Sequence, residues 1–252
     1  MTYPAELFDL TDRVVLITGG SRGLGREMAL AAARCGADVV IASRKYDSCV
    51  ATAEEITAAT GRRAFAYAVH VGRWDELDGL VDAVYAEFGR VDVLVNNAGM
   101  SPLYDKLSDV TEKLFDAVTN LNLKGPFRLS ALVGERMVAD GGGAIINVST
   151  HGSLRPHPSF IPYAAAKAGV MALTRCAALE AAEFGVRINA VSPSLAVHPM
   201  LKKSAPPELL AELEGREAYG RGAETWEIAN IMMFLASDYS SYMTGEILSC
   251  SS

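Results

Sequence analysis

Hydrophobic positions fall into two alternating patterns along this chain. From Arg13 onward, short runs of consecutive apolar residues alternate with longer segments whose apolar positions recur at helical spacing. Val14-Val15-Leu16-Ile17 is a continuous apolar run, as expected of a strand buried on both faces. Val39-Val40-Ile41-Ala42, Ala64 to Val69, Val91 to Val95, Ala144 to Val148 and Val186 to Val191 repeat the pattern and predict five further strands. Between them, a helix through Met28, Leu30 and Ala33 stops at Gly36. An Ala-rich helix ends at Gly61, and a helix from Trp74 to Phe88 closes at Gly89. Strands separated by helices imply right-handed crossovers, hence an α/β fold with a doubly wound parallel sheet. No linker or repeat divides the chain, so residues 1–252 are expected to form one domain.

Two stretches add chemistry to that frame. Thr18-Gly19-Gly20-Ser21-Arg22-Gly23-Leu24-Gly25 lies between the first strand and its helix. Glycines there let the backbone approach a pyrophosphate, and the helix N-terminus supplies oriented N–H donors. The second strand ends in Ser43-Arg44-Lys45, with no acid to accept from a free ribose hydroxyl. With Arg22 as a second cation, these residues favour a 2′-phosphate, so NADP(H) is the expected cofactor and NAD(H) the lesser alternative. The other stretch is Tyr163-Ala164-Ala165-Ala166-Lys167, which sets a phenol and an ammonium on one helix face, one turn apart. A cation against the phenol would lower its pKa from about 10 and ready it for proton transfer.

Composition narrows the classes. At 50% hydrophobic and 21% charged, the chain can bury a full core. A net charge of −7 and the lack of a basic tract argue against nucleic acid. Cys35, Cys49, Cys176 and Cys250 lack metal-type spacing, which excludes a metal site and fits a reducing compartment. With no signal-like N-terminus and no membrane-spanning stretch, a cytoplasmic protein without a membrane partner is expected.

These motifs, in order and on their elements, resemble the compact single-domain short-chain dehydrogenase/reductase family, over about Val14 to Leu248. TGGSRGLG matches its TGxxxGxG turn, Asn96-Asn97-Ala98-Gly99 its NNAG, and Tyr163 with Lys167 its YxxxK. Asn122, in NLKGPF, falls at the family's catalytic Asn. The resemblance implies a Rossmann-type three-layer α/β/α fold and hydride transfer between a nicotinamide and a ketone or secondary alcohol. Tyr163 would exchange the proton, and Lys167 would bind the nicotinamide ribose and lower the Tyr163 pKa. Asn122 would hold a water in a relay behind Lys167. The family's Ser lies thirteen positions before the Tyr, which here is Thr150, with Ser149 and Ser153 as alternatives.

The same resemblance implies a cofactor site of Gly19, Ser21, Arg22, Gly23, Leu24, Gly25, Ser43, Arg44, His70, Val71, Asn97, Ala98, Gly99, Tyr163, Lys167, Pro193, Ser194 and His198. The chain departs from the pattern at His70 (usually Asp), Ser194 (usually Gly), His198 (often Thr) and the Gly-poor Ser249-Cys250-Ser251-Ser252. Residues 194–221 would form the substrate lid. Its Leu195, Val197, Met200 and Leu201, and a short helix around Leu209, Leu210 and Leu213, imply a hydrophobic small-molecule substrate. A 3-oxoacyl thioester or a steroid-like polycyclic ketone ranks first; Lys202 and Lys203 read first as solvated loop lysines and second as contacts to a phosphate of coenzyme A or a carrier protein. The small residues around Tyr163 permit close helix packing, within one subunit or between two, and the resemblance implies a homodimer or homotetramer. The alternative is a non-catalytic NADP(H)-binding sensor or scaffold of the same fold.

Overall fold

A computed structural model gives the architecture and describes residues 8–155, 158, 160–197 and 207–252. Strands β1 (Val14–Thr18), β2 (Asp38–Ser43), β3 (Ala64–Ala68), β4 (Val93–Asn96), β5 (Gly143–Val148), β6 (Val186–Pro193) and β9 (Ile247–Cys250) make one seven-stranded sheet, ordered β3-β2-β1-β4-β5-β6-β9. Every pairing is parallel. The order reverses between β1 and β4, which opens a crevice at their carboxyl ends, where such sheets bind ligands.

Helices α1 (Gly23–Arg34), α2 (Tyr46–Thr60), α3 (Leu77–Phe88), α4 (Glu112–Thr119), α5 (Gly125–Ala139), α6 (Ile161–Ala181), α7 (Pro207–Glu214) and α8 (Thr225–Ala236) flank the sheet. One face packs Met28 to Ala33 of α1 and Ile228 to Ala236 of α8 against Val15, Ile17, Val39 and Ile41. The other packs α3 and α5 against Leu16, Val40, Leu94 and Ile145. Each central strand meets a helix layer on both sides, so its apolar residues run continuously instead of alternating. Gly61 and Gly89 close α2 and α3 in the left-handed region. No helix among the described residues is long and apolar enough to cross a membrane.

Three local readings shift. Six strands are predicted and seven form: β9 pairs its residues Ile247 to Cys250 with Ala190 to Pro193 of β6. It is a half-buried edge strand, so no apolar run marks it. The fourth strand begins at Val93, not Val91; just before it, the Asp92 carboxylate accepts from Val14 N–H at 2.8 Å and from Arg90. Trp74 to Glu76 form a 3₁₀ turn before α3, where Glu76 accepts from the N–H of His70 at 3.0 Å. A further pair, β7 (Ala196–Val197) with β8 (Ala223–Glu224), ties the two ends of the expected lid.

Candidate active site

Among the described residues, most candidates follow the carboxyl ends of β1 to β6, while Asn122 lies in a helical turn and Tyr163 and Lys167 on α6. Gly19 to Gly25 carry the chain from β1 into α1. The first turn of α1 has no side-chain cap and no acid, so its N–H groups stay free for an anion. A Cβ on Gly25 would overlap the Gly19 carbonyl and lie 2.5 Å from Asn97 Nδ2, so only glycine fits. Leu24 packs against the core, while Arg22 is exposed. Ser21 N–H donates to Ser43 Oγ at 3.4 Å, which joins this turn to the end of β2. The donor set therefore fits a dinucleotide pyrophosphate.

A cavity of about 320 Å³ continues from there, lined by Arg44, Ala68, Val69, His70, Arg73 and Glu76. Arg73 is paired with Glu76, and among the described residues lining the cavity Arg44 is the cation open to an anionic group. His70 Nδ1 accepts from Gly72 N–H at 3.1 Å, so its Nε2 carries the proton when the ring is neutral. Val71 is buried. A wider groove, about 680 Å³, lies between α1 and α8 and includes none of the candidate catalytic residues.

The asparagines serve as clamps. Asn97 Nδ2 donates to the Thr18 carbonyl at 2.9 Å, and the N–H groups of Asn97 and Ala98 donate to Thr18 Oγ1. That holds β4 against β1 and leaves Gly99 exposed beyond them. Asn122 lies fully buried in a π-helical turn, Asn120–Lys124, between α4 and α5. Its Nδ2 donates to the Met100 and Val118 carbonyls, each at 2.9 Å, and its Oδ1 accepts from Met100 N–H at 3.2 Å. With the carboxamide so occupied, a water at this turn would be held by the main chain.

A deeper chain of polar groups sets where α6 sits. Asn96 Nδ2 donates to Ser130 Oγ at 3.1 Å and Asn147 Oδ1 at 2.9 Å, and Asn147 Nδ2 donates to Thr174 Oγ1 at 2.9 Å. This links α5, β4, β5 and α6 through buried side chains, where unmade bonds are costly. Asn147 and Thr174 are not among the sequence candidates. The bond that joins them spans 27 residues, too far for any local pattern to signal.

On α6 the phenol and ammonium take up their expected side-by-side arrangement. Lys167 is 2% exposed, its Nζ donates to the Val148 carbonyl at 2.6 Å, and it sits 5.9 Å from the Tyr163 ring centroid. Burial drives its pKa from 10.5 down to about 8. Tyr163 is half-buried. Burial raises its pKa, and a hydrogen bond with the Thr150 hydroxyl works the other way. At the phenol, burial outweighs the Thr150 bond, and the Lys167 ammonium beside it is held by the Val148 carbonyl.

Three hydroxyls competed for the role beside the phenol. Ser149 is buried and donates to the Lys167 carbonyl at 3.1 Å, and Ser153 donates to the Ala164 carbonyl at 3.3 Å. Thr150 alone of the three meets Tyr163, while its oxygen also accepts from Gly152 N–H. Next to it, His151 Nδ1 is buried and has no hydrogen-bond partner among the described residues. Phe160 packs edge-on to Tyr163 with centroids 6.3 Å apart, and Tyr104 Oη accepts from Ile161 N–H at the start of α6.

Pro193 is buried at the end of β6, in register with Cys250. Ser194 shows no positive φ, so the glycine usual in the family is not needed for this turn. His198, together with Pro199, Met200, Leu201, Lys202 and Lys203, lies outside the described residues.

A family model described as enoyl-(acyl carrier protein) reductase matches residues 19–252. The Mycobacterium tuberculosis protein named (5R,7aS)-5-hydroxy-7a-methyl-1-oxo-2,3,5,6,7,7a-hexahydro-1H-indene-carboxyl-CoA reductase is 45% identical over 244 residues, 96% of this chain and 93% of that one. A 3-oxoacyl-[acyl-carrier-protein] reductase from Thermotoga maritima is 36% identical, covering 95% of this chain and 96% of its own. Among solved structures, L-sorbose reductase from Gluconobacter frateurii, complexed with NADPH and L-sorbose, superposes with a TM-score of 0.91 at 26% identity over 96% of each chain. With this crevice and these relatives, the chain belongs to the short-chain dehydrogenase/reductase family and is an NAD(P)-dependent oxidoreductase.

Proposed function

We propose that this enzyme reduces the ketone of a hydrophobic, ring-containing acyl thioester with NADPH. The observation that carries the reading is the 45% identity, over nearly the whole of both chains, to a reductase named for a fused-ring keto acyl-CoA. That compound class unites the two substrate types expected from the sequence, a polycyclic ketone and an acyl thioester.

The protein's share of the chemistry is the proton. A bound nicotinamide cofactor supplies the hydride. Thr150 and Tyr163 bring two hydroxyls to one place, so both can donate to a single carbonyl oxygen. Tyr163 gives up its proton as the alcohol forms, and the Lys167 ammonium behind it stabilises the phenolate left. Asn122, through Met100, holds the floor beside them. Arg44 and Arg22 would hold a 2′-phosphate, and the uncapped start of α1 the pyrophosphate. Ala165, Ala168, Ala172 and Leu179 face outward on α6, which supports a second copy of the chain as partner; analytical ultracentrifugation reads the stoichiometry.

The test is NADPH and NADH oxidation with fused-ring keto acyl-CoA esters, 3-oxoacyl-CoA esters and the matching free ketones. NADPH should be preferred, and Arg44→Ala should narrow that preference by about tenfold, the worth of one charge-assisted bond. Replacing Lys202 and Lys203 with Ala should raise KM for the CoA esters alone. Equal turnover with NADH sinks the cofactor reading. Free ketones reduced as well as thioesters, with both lysines indifferent, sink the thioester reading. Tight NADPH binding without turnover of any ketone favours a sensor.

A further inference from the structure

Two positions at which this chain departs from the family pattern meet on one carboxylate. Ser194 stands in place of a glycine, and Ser252 belongs to the serine-rich stretch after β9. The Ser194 hydroxyl donates to Glu217 Oε1. The Ser252 hydroxyl donates to Glu217 Oε2 at 3.4 Å, and its oxygen accepts from the N–H of Tyr219 at 3.4 Å. Glu217 itself is half-buried.

These bonds join three stretches that are far apart in sequence. Ser194 N–H donates to the Cys250 carbonyl at 2.9 Å, and Ala223 N–H donates to the Leu195 carbonyl at 2.7 Å. The β7–β8 ladder then holds the stretch leaving β6 against the stretch entering α8. This junction borders the reacting groups: Ser149 N–H donates to the Val191 carbonyl at 2.8 Å, three residues before Ser194 and one before Thr150. A glycine at 194 would leave Glu217 Oε1 without this donor, so the serine and the glutamate work as a pair.

We propose that Glu217 is a positioning residue for the substrate: it holds Ser194 and Ser252 on one carboxylate and so fixes where the chain leaves β6 beside Thr150 and Tyr163. The inference rests on the ketone-reductase site described above. Loss of the carboxylate frees the junction locally and leaves the proton-transfer groups in place.

Hydrogen exchange of the unliganded protein, alongside steady-state kinetics, tests this. In Glu217→Ala the amides of Ser194 and Ala223 should exchange about tenfold faster, while amides of β1 and β4 keep their rates. KM for the ketone should rise about fivefold, the worth of one hydrogen bond, with kcat changed less than about twofold. Ser252→Ala should act in the same direction and add nothing in the Glu217→Ala background. Unchanged exchange at the two amides overturns the proposal, as does acceleration throughout the sheet with a fall in kcat. Faster local exchange with unaltered KM overturns the positioning role. If the wild-type protein reduces no ketone, the proposed function fails by itself, and the exchange data still judge the latch.

Discussion

The glycine turn after β1 and the proposed catalytic group, which follows β5 and lies on α6, share one crevice but are built from different materials. The turn is made of backbone. Its shape comes from close approach at Gly25, and its neighbours Asn97 and Thr18 spend their side chains on main-chain atoms. The catalytic group is made of side chains: a hydroxyl, a phenol and a buried ammonium, with the phenol raised and the ammonium lowered in pKa. A site made of shape breaks when a carbon is added. A site made of charge breaks when an oxygen or a proton is removed, even with the fold intact.

The sharpest test removes one oxygen. Tyr163→Phe should cut turnover about a thousandfold, or about 4 kcal/mol in the barrier, as expected for loss of a general acid. NADPH affinity by fluorescence titration and Tm should stay near wild type. Turnover within tenfold of wild type would remove the phenol from the mechanism.

The next test uses the proton on Lys167. Its folded pKa, about 8, lies below the ordinary 10.5, so the unfolded chain binds more protons between those values. Stability therefore rises with pH across that window: the cost of charging the buried ammonium, about 3 kcal/mol, applies in full below it and fades above it. Urea unfolding of wild type and Lys167→Met from pH 7 to 10.5 should show any advantage of the methionine variant shrinking as pH rises. A constant difference would mean that the ammonium is not buried in solution.

The smallest expected effect, and the one that tests the other side of the comparison, is at the turn. Gly25→Ala should cost about 2 kcal/mol of stability through overpacking and weaken NADPH binding. A variant that folds and binds normally would show that the turn tolerates a side chain and that its glycine is dispensable.

Much of this was legible along the chain, for a local reason. A parallel strand covered on both faces must be apolar at successive positions, so Val14 to Ile17 or Val186 to Val191 declare themselves without their neighbours. The helical spacing of Tyr163 and Lys167 likewise puts them on one face whatever surrounds them. Strand β9 escaped notice because an edge strand needs no such run.

What the tertiary structure alone decided involves contacts between distant residues and the loss of water around them. Ser149, Thr150 and Ser153 are chemically alike, and packing of the loop against α6 turns only Thr150 toward the phenol. The charge on Lys167 depends on burial, which no residue type encodes. Glu217 reads as an ordinary surface acid until the fold brings Ser194 and Ser252, 23 and 35 residues away, onto its two oxygens. Sequence determines which groups a chain carries and the local shape of its backbone. The choice of partner belongs to the fold, because hydrogen bonding and desolvation act through space.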